Sequence, residues 1–176
     1  MIKEATKWIG YLEHKSNDRL ESFTENIGKG GYTIFPLIIC RHYPRLNFSG
    51  LPWCTVFVCA VCIMYYGKND AYRALGKPCA GSRLLARRMR RKGLLESSTY
   101  YPTTNDLVFL YNDKNRIGHC GIVERVEDGY LFTIEGNTKD PSGHFAQNEG
   151  GAVARRKRSL EDKLIACYAR TSEILH

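Results

Sequence analysis

The stretch Leu51-Pro52-Trp53-Cys54-Thr55-Val56-Phe57-Val58 decides how this chain reads. It sets a cysteine at the entry to an apolar run, behind a proline of the kind favoured at a first helical position. Gly67 punctuates the run, so a buried helix is expected from Pro52 to Tyr66. A thiol in the first turn of such a helix feels the positive end of the dipole, which stabilises a thiolate. Two later segments complete the pattern: Gly118-His119-Cys120-Gly121-Ile122-Val123 and Thr133-Ile134-Glu135-Gly136-Asn137. A thiol needs a base to ionise it, and the base needs a partner to orient it. Cys54, His119 and Glu135 are the candidate nucleophile, base and orienter, with Asn137 supporting Glu135.

The second half of the chain supplies short strands in the reading: Leu107 to Tyr111, His119 to Val126, Tyr130 to Glu135, Ala152 to Lys157 and Leu164 to Ala169. Asp128-Gly129 is a hairpin signal. That hairpin sets residues near 135 opposite residues near 121, which brings Glu135 or Asn137 within reach of His119. Alternation places Gly121 and Val123 on the face of His119, and Cys120 and Ile122 on the other. Gly121 then leaves room for a substrate or for the helix that carries Cys54. Glu135 and Asn137, two apart, are expected on one face. A carboxylate at the imidazole N–H would fix the tautomer and stabilise the imidazolium; an amide could only orient it. Taken singly, each residue has a plain reading: a packed cysteine, a surface histidine, a solvated glutamate. Together the three segments are far more specific.

Elsewhere, Ile2, Ala5, Ile9 and Leu12 carry helical spacing, which predicts a helix from Ile2 to Lys15. The region from Asn17 to Ser49 is mixed: Gly28, Gly30 and Gly31 mark a loop, and the apolar run from Tyr32 to Cys40 is broken by Pro36. A short helix is expected from Ala71 to Leu75. Another is expected from Ser82 to Lys92, with Leu85 and Met89 inward and Arg83, Arg87, Arg90 and Arg91 outward. Helices first and an antiparallel sheet afterwards means an α+β fold. The chain reads as one domain over residues 1–176, with a helix and loop region at 1–50 and a catalytic core at 51–170.

Composition sets the bounds. The chain has 176 residues, 43% apolar and 25% charged, which is ordinary for a globular protein. No apolar leader follows Met1, and the longest apolar run, Val56 to Tyr66, is shorter than the roughly 20 residues that span a bilayer. The expectation is a soluble protein made in the cytoplasm, with export by another route left open. Seven cysteines, an odd count, read as reduced core residues. Cys59-Ala60-Val61-Cys62 has no second ligand pair, so core packing is expected rather than a metal site. Neither phosphate-cradling nor calcium-loop spacing appears, and no cofactor is expected. The net charge of +8 favours anionic partners. The basic runs 87–92 and 155–158 read first as solvated faces, and otherwise as a means of retention on an anionic polymer. No nucleic-acid motif accompanies them.

These segments resemble the CHAP domain (cysteine, histidine-dependent amidohydrolase/peptidase) of the NlpC/P60-like superfamily, in its phage or Gram-positive form. Pro52-Trp53-Cys54-x-x-Phe57-Val58 is similar to the family's nucleophile motif, and Asn105-Asp106-Leu107-Val108-Phe109 to its Gly-Asp strand. Gly118-His119-x-Gly121-Ile122-Val123 is similar to its histidine motif, and Thr133-Ile134-Glu135-Gly136-Asn137-Thr138 to its Glu/Asn motif. Two departures stand out: Asn105 replaces a glycine, and Cys120 stands where Val, Thr or Ala is common. The resemblance implies a papain-like α+β fold and peptidoglycan as substrate. The bond cut would be the muramoyl–L-alanine amide or a stem or cross-bridge peptide bond. Cys54, His119, Glu135 and Asn137 would be catalytic, Trp53, Gly118 and Gly121 would contact substrate, and no metal would be required. The biological role implied is a lysin that acts at the bacterial cell wall or outside the cell. The alternatives are a secreted antibacterial toxin held by an immunity protein, or a non-catalytic wall-binding module.

Overall fold

A computed structural model of the chain describes residues 1–145, 150–171 and 173–174. Four helices precede the main strands: α1 (Ile2–Thr6), α2 (Phe35–His42), α3 (Cys54–Leu75) and α4 (Ser82–Arg91). The strands are β1 (Leu95–Glu96), β2 (Leu107–Tyr111), β3 (Ile117–Glu127), β4 (Tyr130–Thr138), β5 (Ala152–Ser159) and β6 (Ile165–Ala169). They form one antiparallel sheet in the order β1-β6-β2-β3-β4-β5, so the fold is α+β.

The core follows from strand alternation. Leu107, Phe109, Cys120, Ile122 and Ile134 face the helices and pack with Val56, Phe57, Ala60 and Val61 of α3 and with Leu85 and Met89 of α4. Val108, Leu110, Val123, Leu131, Ile165 and Tyr168 form a smaller cluster of their own. α3 is apolar all round over its first ten residues, the pattern of a helix buried on every side. Gly67, at φ +78° and ψ 168°, breaks it, and the chain resumes as the short helix expected before Leu75. Among the described residues, no helix is long and apolar enough to cross a membrane.

Several expectations need correction. The helix expected from Ile2 to Lys15 stops at Thr6. Gly10 takes φ +91°, and residues 11–14 run extended along the sheet edge. There the Gly10 and Glu13 amides donate to Val153 and Gly151, and the Val153 amide donates to Tyr11. Tyr11, Leu12, Glu13 and His14 are all buried, which one helix face could not achieve. Pro36, read as a break, lies in the first turn of α2, where its missing N–H costs nothing. Pro52 stands one residue ahead of the α3 N-cap, Trp53, rather than inside the helix. The Asp128-Gly129 hairpin is present, both residues having positive φ (51° and 78°) as a tight strand turn of this twist demands. Asn105 also has positive φ (76°), a conformation that glycine and asparagine tolerate best, and its Oδ1 accepts the Ile2 amide at 2.7 Å.

Candidate active site

Cys54 is the first residue of α3. Its sulfur lies 3.4 Å from Ser82 Oγ at the start of α4. Thr55 Oγ1 bridges the same elements, 3.0 Å from Ser82 Oγ and 3.5 Å from Cys120 Sγ on β3. Cys54, Thr55, Ser82 and Cys120 thus form a buried polar knot where two helix starts meet a strand. The Cys54 residue is 4% exposed.

His119 stands beside it on β3. The imidazole Nε2 is 2.9 Å from Glu135 Oε2 on β4, which leaves Nδ1 as the ring nitrogen not engaged by the carboxylate. The hairpin register explains the meeting: Ile122 pairs with Ile134, so Gly121 lies opposite Glu135. Glu135 is fully buried, and four side chains satisfy it. Thr133 donates at 2.6 Å, Thr138 at 3.3 Å, and the Arg158 guanidinium reaches both carboxylate oxygens, one of them at 3.1 Å. Burial of a carboxylate without such partners would cost several kcal/mol, on the order of the penalty for an unpaired buried ion.

The protonation states follow. For Cys54, the hydrogen bond with Cys120 acts first, burial opposes it, and the His119 imidazole and Ser82 add to it; the thiol is held well below its ordinary range. Burial disfavours a charged His119, but hydrogen bonds and charge from Cys54 and Glu135 outweigh it and push the imidazole up from 6.5 to about 10. Burial likewise opposes the Glu135 carboxylate, yet His119 and Arg158 hold it well below the usual carboxylate range. At neutral pH the arrangement is thiolate, imidazolium, carboxylate and guanidinium in a row. A pair of this kind can attack a carbonyl and hand a proton to the group it expels.

The remaining expected site residues fall differently. Asn137 takes φ +53° at a bulge between β4 and β5, so it leaves the face of Glu135, and Thr138 reaches the carboxylate instead. Asn137 lines a hollow of about 310 Å³ with His119, Glu135 and Arg158, but makes no hydrogen bond to the imidazole among the described residues. Trp53, expected at the substrate, is 1% exposed: its indole stacks on Phe35 and donates to Glu13 at 3.0 Å. It is an anchor beneath the thiol. Gly121 leaves room neither for substrate nor for α3, because a Cβ there would lie 2.6 Å from Glu135 Cγ; the space belongs to the carboxylate. Gly118 is filled in the same way by Asn112, at 2.8 Å. Gly136 is the glycine that admits the helix, since a Cβ would lie 2.5 Å from Phe57 Cβ.

Sequence reasoning missed Arg158, which was grouped with a solvated basic run, and missed Thr133, Thr138 and Ser82. Arg158 had one available signal: it pairs with Leu131, two alternations from Glu135 on the same face, but only once the register across the long β4–β5 connection is known. No group of three or more His, Cys, Asp or Glu side chains gathers as metal ligands among the described residues.

Comparison with known proteins gives the following. No curated protein matches the chain. Among solved structures, Ly7917 is similar at 20% identity with a TM-score of 0.43, the match covering 65% of this chain and 51% of that one. Ly7917 with the hydrolyzing product of MDP is similar at 18% identity with a TM-score of 0.44 and the same coverage. The matched part spans about half the length of those proteins. The family model of the CHAP domain matches residues 46–137, more than half of the sequence, and that segment carries Cys54, His119 and Glu135; the chain belongs to the CHAP domain family.

Proposed function

We propose that this chain is a peptidoglycan hydrolase that cuts an amide bond through a Cys54 thiolate, acting as a lysin. The observation that carries the reading is the buried relay Cys54–His119–Glu135, closed by Arg158. Family membership supplies the substrate class.

The Cys54 thiolate attacks the carbonyl carbon of the amide. The oxygen takes up the negative charge, and the Cys54 backbone N–H supports it, since the first amides of a helix have no acceptor within the helix. The C–N bond breaks as the imidazolium gives its proton to the departing amine. Neutral His119 then takes a proton from water, the hydroxide attacks the thioester, and the carboxylic acid leaves as the thiolate and imidazolium re-form. Glu135 holds the ring in position and balances its charge at both stages. Thr133, Thr138 and Arg158 hold Glu135.

Digestion of purified Gram-positive peptidoglycan with the wild type and with Cys54→Ala, followed by mass spectrometry of the soluble fragments, tests the reading. Fragments from the wild type alone would identify the nucleophile and the bond. No fragments from either, with both proteins folded, would refute it.

A further inference from the structure

α4 touches the nucleophile at Ser82 and then continues as a basic ridge. Arg83, Arg87 and Arg90 line a groove of about 340 Å³ together with Leu84, Ala86 and Ile117. The three arginines lie at helical spacing on one face. None of them has an acidic partner among the described residues, whereas Arg73, Arg125, Arg155, Arg158 and Arg170 each pair with a carboxylate. α4 contains no acidic residue at all. Like charges three and four apart repel on a helix, a cost of about 0.2–0.5 kcal/mol per pair that an anion seated among them would relieve.

The groove adjoins the chemistry. Arg83 follows Ser82, whose hydroxyl is 3.4 Å from the Cys54 sulfur, and Ile117, set off from His119 by a register shift in β3, packs against the same apolar core as Cys54. Ala86 lies about one helical turn, ~5.4 Å of rise, beyond Ser82. The floor is apolar and the rim is guanidinium, a combination suited to an extended chain bearing a carboxylate or phosphodiester.

We infer that the groove between α4 and Ile117 is an anionic subsite, seating a carboxylate or phosphodiester of the wall substrate beside the bond to be cut. Its substrate class rests on the hydrolase reading above; its preference for anions rests on the arginines alone.

The test reads binding on Cys54→Ala, which cannot consume its ligand. The probes are a muropeptide with free carboxylates, the same muropeptide with its carboxylates amidated, and soluble poly(glycerol phosphate). Arg83→Gln/Arg87→Gln is compared with Arg41→Gln/Arg91→Gln, which removes the same charge from exposed positions outside the groove. Glutamine keeps helix propensity, so both pairs should fold. The groove pair should weaken an anionic probe by about tenfold or more. The control pair should weaken it by about twofold or less. The amidated muropeptide should not discriminate between the pairs. Loss on the free muropeptide assigns the peptide carboxylate, and loss on the polymer alone assigns the phosphodiester. Equal weakening by both pairs, or no measurable binding of either anionic probe, would overturn the subsite. Wall digestion by the wild type is read in parallel: silence there with discrimination here would remove the hydrolase reading and leave the anion site standing.

Discussion

Replacing Glu135 by glutamine separates what this carboxylate does for catalysis from what it does for folding. The substitution keeps the size of a fully buried side chain that is bonded to His119, Thr133, Thr138 and Arg158, and removes its charge. The Arg158 side chain is 13% exposed, so the substitution leaves a largely buried guanidinium with hydrogen-bond acceptors but no counter-charge, at a cost of up to about 3–5 kcal/mol. Burial works against a charged His119, yet Cys54 and Glu135 together push it up from 6.5 to about 10. Without the carboxylate, the imidazolium and the thiolate it supports are both depleted, and turnover should fall by about 10²–10⁴. Glu135→Gln/Arg158→Met removes both charges and should recover at least about 2 kcal/mol of the lost stability, because the orphaned cation is gone. It should recover no turnover. Urea denaturation and wall digestion on the wild type, both single variants and the double variant supply the cycle. If the double variant regains turnover along with stability, Glu135 is a structural residue and the relay is wrong.

The titrations also set how stability varies with pH. His119 has a raised value in the folded state, so its contribution is fully present below 6.5 and is lost as pH climbs to and through about 10. Glu135 has a depressed value, so its contribution is present above the ordinary carboxylate range and is lost as acid takes pH down through the folded value. The urea midpoint of the wild type should therefore exceed that of His119→Gln most clearly near pH 6, with the gap closing towards pH 10; a constant gap would contradict the assignment. Gly121→Ala would set a methyl 2.6 Å from Glu135 Cγ, so it should cost about 1–3 kcal/mol and displace the carboxylate from the imidazole. Its turnover should fall well below that of an equally destabilised variant elsewhere in the core, and turnover that tracks stability alone would count against the close fit.

Much of this site was legible because its residues lie on regular elements. An apolar run behind Pro52-Trp53 and a tight Asp128-Gly129 turn announced the segments, but it is the register shift between Val123 and Arg125 that puts Glu135 opposite Gly121, on the face of His119. What failed was whatever depends on distant chain. Residues 11–14 carry helical spacing, but they pair with β5, whose position no local pattern announces. Trp53 looked like a substrate platform until its partner Glu13, forty residues away, was in view. The bulge at Asn137 moved Thr138 to the carboxylate, and only the register with β5 reveals it. Arg158 resembled its charged neighbours in sequence and differs from them in lying over a buried anion.

The central claim is that Cys54 is held as a thiolate by its polar neighbours, Cys120 first and the His119 imidazolium with it. The most direct measurement is the rate of Cys54 alkylation by iodoacetamide as a function of pH, with the modified residue located by peptide mapping so that Cys79, itself lowered to about 7, is not mistaken for it. The account predicts a rate for Cys54 that is already at its plateau at neutral pH, and that in His119→Gln falls at neutral pH and rises only towards alkaline pH. A Cys54 rate that rises near the ordinary thiol value of about 8.5 in the wild type, and is unchanged in His119→Gln, would contradict it.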